Sequence, residues 1–293
     1  MSHGHSRAAE SGSQVRNPLK RKLLARLEGK RSLENIEPRI FPEDGGPVKG
    51  DVVELHGGEG TGKTEALYHL VARCILPEAS GGLEVEVVFV DTDYHLDALR
   101  LVSVLERRLP AGADQTVKAS LARLYVIHCS SAVQLLLTLH YLEGLFCSRP
   151  SLSALILDSV SAFYWVDRAN GGDSLALQES NLRKCTKILE RLLRDFGIVV
   201  FATTHAIMRN YASKVDDNDS SSSHRRWSSA HTDLSKAYLC RAWQGVVTHR
   251  VYFSKGDAAE GGRQVFSVMS SCSRTKTTRR CSFHVTDGGV HFL

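Results

Sequence analysis

The sequence lacks any apolar run long enough to cross a membrane, which argues against a membrane-spanning protein. Its start, Met1-Ser2-His3-Gly4-His5, has no apolar h-region, so no secretory signal is expected. Seven cysteines, an odd number, stand at 74, 129, 147, 185, 240, 272 and 281 without a single C-x-x-C pair. That spacing excludes the usual zinc arrangements and suits a reducing compartment, with several cysteines serving as small core residues. No internal repeat is visible. His69, His95, His128 and His249 stand among apolar or strand positions, as packing or surface residues do.

What is present is an ordinary globular composition, 42% apolar over 293 residues, enough for one large domain or two small ones. Charge is uneven. Residues 1–31 hold eight Lys/Arg against Glu10 and Glu28, a local +6 in a chain of net +5, so the remaining residues sum to −1. The basicity belongs to an arm and not to the fold. Such an arm serves as a solvated tail, as a nuclear-import signal at Lys20-Arg21-Lys22, or as a nucleic-acid contact. Residues 1–47 read as this arm and an extended lead-in, partly disordered, with helical spacing over 19–29.

The most informative stretch is Val52-Val53-Glu54-Leu55-His56 running into Gly57-Gly58-Glu59-Gly60-Thr61-Gly62-Lys63-Thr64. Glycines at 57 and 62, followed by Lys63 and Thr64, form a P-loop between a strand and an amphipathic helix, the context the motif requires. Glycines let several N–H groups converge on one anion. The helix N-terminus adds partial positive charge. Lys63 supplies a full charge for the outer phosphates, and the Thr64 hydroxyl suits magnesium. ATP and Mg2+ are the expected ligands, with hydrolysis a separate matter.

From residue 48 onward strands and helices alternate. Strands are expected at 52–56, 85–90, 124–129, 152–157 and 198–202, with helices at 63–75, 94–109, 114–122, 131–146 and 174–196 between them. Unbroken apolar strands are buried on both faces, so the fold class is α/β, a mostly parallel sheet covered by helices. Residues 206–232 are rich in Ser, Asp, His and Arg and read as a mobile loop. Segments 246–253, 264–269 and 281–285 read as antiparallel strands extending the sheet.

Asp158 closes the apolar run Ala154-Leu155-Ile156-Leu157, where a P-loop protein places the carboxylate that holds magnesium. The spacing suits a core with a further strand between the P-loop strand and the Asp158 strand. An acidic residue on that inserted strand would polarise the attacking water, and Asp91-Thr92-Asp93 is where to look. Strand position alone does not choose between the two aspartates, and a turn or N-cap residue is the other reading of Asp93.

These motifs resemble the RecA-type recombinases, particularly their eukaryotic homologues, over roughly 48–293. The stretches carrying the resemblance are Gly60-Thr61-Gly62-Lys63-Thr64-Glu65-Ala66-Leu67, Asp91-Thr92-Asp93, Asp158-Ser159-Val160-Ser161-Ala162-Phe163-Tyr164, and Phe196 to His205. Phe283 to Val290 resembles the family's closing strand and turn. The family's Asp-Thr-Glu, whose Glu activates water, becomes Asp-Thr-Asp, so the resemblance implies Asp93 as the catalytic candidate, its carboxylate one methylene shorter in reach, a change of the scale that costs a catalytic step about 10²-fold. Its terminal Asn-Gln, whose Gln senses the γ-phosphate, becomes Thr204-His205. The DNA-facing loops depart too. The first, 165–173, has one basic residue against two acidic ones. The second, 206–232, sets Arg209, Lys214, Arg225 and Arg226 against several aspartates, and Trp227 reads as a base-stacking residue, a partner contact or a plainly exposed aromatic.

The sequence contains no Phe-x-x-Ala anchor, and a separate N-terminal helical domain is not expected in the stretch before residue 48. The resemblance therefore implies a RecA-type paralogue: a nuclear homologous-recombination subunit, paired with sister paralogues, chiefly the D-type, meeting single-stranded or branched DNA through the complex. ATP binding would be weak or structural. A free-standing P-loop kinase and a DNA-dependent ATPase are the alternatives.

Overall fold

The computed structural model describes residues 31–42, 45–205, 239–256 and 263–293. In chain order the elements are β1 (Val52–Gly57), α1 (Lys63–Ile75), a 3-10 turn (Glu78–Ser80), β2 (Glu86–Asp91), α2 (Ala98–Arg108), α3 (Asp114–Leu121), β3 (Leu124–His128), α4 (Ala132–Ser148) and β4 (Leu152–Asp158). Then follow α5 (Tyr164–Asn170), α6 (Leu175–Gln178), α7 (Ser180–Phe196), β5 (Val199–His205), α8 (Arg241–Val246), β6 (His249–Lys255), β7 (Val265–Cys272), β8 (Thr278–Thr286) and β9 (Gly289–Phe292).

All nine strands form one sheet in the order β3-β2-β4-β5-β1-β6-β7-β8-β9. Residues of β1 and β4 are buried throughout, as strands covered on both faces must be. One layer of core lies between the sheet and α1 and α2, where Leu67, Leu70, Val71, Leu101 and Val104 meet Val53, Leu55, Phe89 and Ile156. The other lies under α4 and α7, where Leu139, Leu142, Leu189 and Leu192 meet Val52, Val88, Leu155 and Val200. The α/β class expected from the alternation is therefore found, and α1 has the bounds that its spacing predicts.

Local chemistry sets the ends of these helices. The Ser131 hydroxyl accepts from Gln134 N at the start of α4 (3.2 Å), and Asp97 caps α2 by accepting from Arg100 N (3.0 Å). Gly197, at φ 57°, closes α7 in the left-handed conformation that glycine adopts without cost. The lead-in also joins the fold. Leu33, Ile36, Ile40 and Phe41 are buried in the first core, so the packed unit reaches back at least to Leu33.

Four expectations change. The strand inserted between β1 and β4 is β5, not β2; β2 lies on the far side of β4. The acidic residue at the end of β2 therefore approaches the site from beyond the Asp158 strand. Strand β6 runs parallel to β1, and the antiparallel part begins at the β6–β7 pair. The helix expected over 174–196 is broken at Glu179 into α6 and α7. Residues 165–173, expected as a DNA-facing loop, hold most of the short helix α5. Its Arg168 donates to the Tyr164 hydroxyl one turn back (2.8 Å), and its Asp167 accepts from Asn181 of α7 (2.9 Å). The basic arm, the helix over 19–29 and the loop over 206–232 lie outside the described residues.

Candidate phosphate-binding site

β1 delivers the chain to Gly57 at the carboxyl end of the sheet, beside His205 of β5 and Phe253 of β6. A Cβ on Gly57 would lie 2.6 Å from the Phe253 carbonyl oxygen, so only glycine fits. Gly60 and Gly62 take φ values of 64° and 89°, the left-handed conformation that lets successive N–H groups turn to one side. Gly62 is also the N-cap of α1, so the loop ends on a helix N-terminus. Thr61 Oγ1 braces the loop by donating to the Gly58 carbonyl (2.8 Å). Glu59 and Gly60 are exposed, while Thr64 is half-buried in the first turn of α1.

Lys63 is buried, and its ammonium donates to the Gly57 and Gly58 carbonyls at 2.9 and 2.6 Å. Burial lowers its pKa, with the charges of Asp158 and Glu59 acting the other way. A buried cation folded over its own loop, with no carboxylate among the described residues in contact, is chemistry suited to an incoming anion.

The opposite rim is made by the ends of β2, β4 and β5. Asp158 is buried and accepts a short hydrogen bond from Thr203 of β5. Burial raises its pKa, and the nearby Asp93 and Asp91 carboxylates raise it further against that hydrogen bond. Such a group gains from a bound cation. Asp91 lies in register with Asp158 but is already engaged: its oxygens accept from the His95 and Leu96 N–H groups (both 3.2 Å), with His128 at 3.4 Å.

Asp93 is neither a helix cap nor that turn's anchor, since Asp97 and Asp91 fill those roles. Its carboxylate meets His205 Nε2 at 3.3 Å. Burial alone would raise its pKa, but hydrogen bonds from His205 and Ser159 and the charges of His205 and His95 overcome this and hold it below the ordinary value. The two positions that depart from the recombinase pattern are thus each other's partner.

Sequence reasoning missed the polar layer behind the loop. His56 Nδ1 lies 2.8 Å from Thr204 Oγ1, and burial, followed by the charges of Lys63, Arg250 and His205, lowers its pKa to about 4. Glu54 accepts from the Trp243 indole (2.8 Å) and faces Arg250 Nε at 3.4 Å. The signal was there: Glu54 and His56 alternate with Val53 and Leu55, so one face of β1 is polar.

A sheet of this order, with a P-loop on β1 and a carboxylate at the end of β4, defines a RecA-like core. The chain belongs to the Rad51 family, whose profile matches residues 40–292. Within that family it is similar to the DNA repair protein XRCC2 of Mus musculus, 52% identical over 287 residues, 98% of each chain. The DNA repair protein XRCC2 homolog of Arabidopsis thaliana is 27% identical over 70% of this chain and 69% of its own. The DNA repair protein RAD51 of Mycosarcoma maydis is 29% identical over 56% of this chain and 46% of its own. No helix among the described residues is long and apolar enough to cross a membrane.

Proposed function

We propose that this chain is a nuclear subunit of a recombinase-paralogue complex that assists homologous-recombination repair of DNA double-strand breaks. Its role is to promote or stabilise assembly of the main recombinase on single-stranded DNA, with the D-type paralogue as its chief partner. Its P-loop holds ATP and Mg2+ in a structural capacity. Residues 57–62 and Lys63 take the phosphates, and Thr64 and Asp158 take the magnesium. When bound, the ion would supply charge neutralisation for the phosphates.

The observation that carries this reading is the complete P-loop facing an Asp93 carboxylate already engaged by His205. Binding parts are present, while the group that would polarise water is shortened and occupied. Membership of the Rad51 family and the likeness to a DNA repair protein over nearly the whole chain favour this reading over a free-standing kinase.

The test is co-expression of the tagged chain with sister paralogues, with and without ATP and magnesium. The expected result is one paralogue recovered in stoichiometric amount, retained by Lys63→Ala, and negligible ATP hydrolysis by the chain alone. A monomer that carries no paralogue, or one whose robust hydrolysis disappears on Lys63→Ala, would sink the proposal.

A further inference from the structure

Among the described residues the sheet is covered unequally. Its parallel half carries a core on each side, but no residue of β6 to β9 belongs to the second core. On these strands Val251, Phe253, Val268 and Phe283 turn toward the first core. The alternate residues of β6, β7 and β8 form the other face, where Tyr252, Met269 and Arg280 lie side by side in register. Two adjoining grooves of about 410 and 450 Å³ run over this face and share Tyr252.

The lining has an unusual balance. It includes Arg250, Lys276 and Arg280 and many Ser and Thr hydroxyls, but no carboxylate among the described residues. Lys276 and Arg280 are exposed and have no acidic partner among the described residues. Arg250 is partly neutralised from below by buried Glu54 at 3.4 Å. Cations and hydroxyls are the groups that contact phosphate oxygens, and an aromatic between cations on an open antiparallel sheet gives bases a surface to stack on.

We propose that this face of β6–β8 binds single-stranded DNA directly, with Lys276 and Arg280 on the phosphates and Tyr252 under a base. The site is separate from the P-loop and from the segments after β4 and β5 to which the family resemblance assigns DNA contact. It extends the proposed function, because it gives the subunit its own hold on the strand that the complex acts upon.

The test is fluorescence anisotropy of a labelled oligo-dT strand titrated with the full-length chain across a salt series. The variant pair Lys276→Gln/Arg280→Gln changes two exposed positions, and an unchanged thermal midpoint confirms its folding. Removing two phosphate contacts should lower affinity at least tenfold at low salt and reduce the slope of log K against log salt by about 1.4. Tyr252→Ala should weaken binding about tenfold and leave the slope unchanged.

The inference fails if the folded pair binds like wild type, if a duplex of equal length binds more tightly than the strand, or if deleting residues 1–31 alone abolishes binding. Paralogue co-purification separates the two proposals. A pair variant that loses DNA but keeps its partner upholds both, whereas a chain that binds DNA through this face without any paralogue upholds this one alone.

Discussion

The cradle around Lys63 and the rim facing it are held by different kinds of chemistry. In the cradle almost every position is a backbone requirement. Gly57 abuts a carbonyl of β6, Gly60 and Gly62 take left-handed φ values, and Lys63 bonds to two loop carbonyls. In the rim the positions are set by side-chain pairs: Asp158 with Thr203, Asp93 with His205, and Asp91 with the turn after β2. A backbone cradle admits few substitutions, because each one moves the groups that bind. A side-chain pair can be exchanged for another pair while the strands stay in place. The chain therefore combines an unaltered P-loop sequence with an altered rim.

The comparison breaks most easily at Gly62. Its φ of 89° strains any β-branched residue, and a Cβ there would stand 2.9 Å from the Phe283 ring. Gly62→Val should cost on the order of 4 kcal/mol in urea denaturation, the sum of backbone strain and overpacking. A loss below about 1 kcal/mol would show that the loop adapts and that the cradle is not fixed as described.

His56 joins the two regions from below and gives a pH-dependent effect of intermediate size. Its folded-state pKa of about 4 lies below the ordinary value of 6.5. The unfolded chain therefore takes up the proton first as pH falls. Stability linked to His56 is full above about pH 6.5 and is lost between there and about pH 4, by up to about 3 kcal/mol. His56→Gln removes that component. Denaturation across the range should show wild type losing stability more steeply than the variant, and parallel curves would contradict a buried neutral imidazole.

How much of this was legible follows from the same division. The P-loop, the bounds of α1 and the place of Asp158 at a strand end were readable, because each is a local pattern of glycine, periodicity and strand termination. The strand order was not. Which strand lies between β1 and β4 depends on the packing of helices on both faces, and no local pattern distinguished β5 from β2. Asp93 could be singled out, but its partner could not, since His205 lies 112 residues away and meets it only through that order. The first DNA-facing segment was read as a loop from the family resemblance. The turn-to-turn contact of Arg168 with Tyr164 and the hold of Asn181 on Asp167 make much of it a helix.

The finest distinction concerns the pair itself. His205 and Asp93 are both partly exposed, so their contact should contribute less than about 1 kcal/mol to stability. His205→Gln should scarcely move the thermal midpoint and should leave nucleotide-induced stabilisation unchanged, because neither residue is part of the cradle. Its effect should appear in chemistry. If Asp93 is silenced both by its length and by its partner, Asp93→Glu alone leaves the partner in place and His205→Gln alone leaves the carboxylate too short. Only the double variant frees a carboxylate of full reach, and its ATP hydrolysis should exceed wild type by about 10²-fold, the scale of a one-ångström correction at a catalytic group. Equal activation by His205→Gln alone would assign the silence to the partner. A double variant that binds nucleotide but stays inactive would mean that a residue from a neighbouring subunit, and not this pair, limits the step.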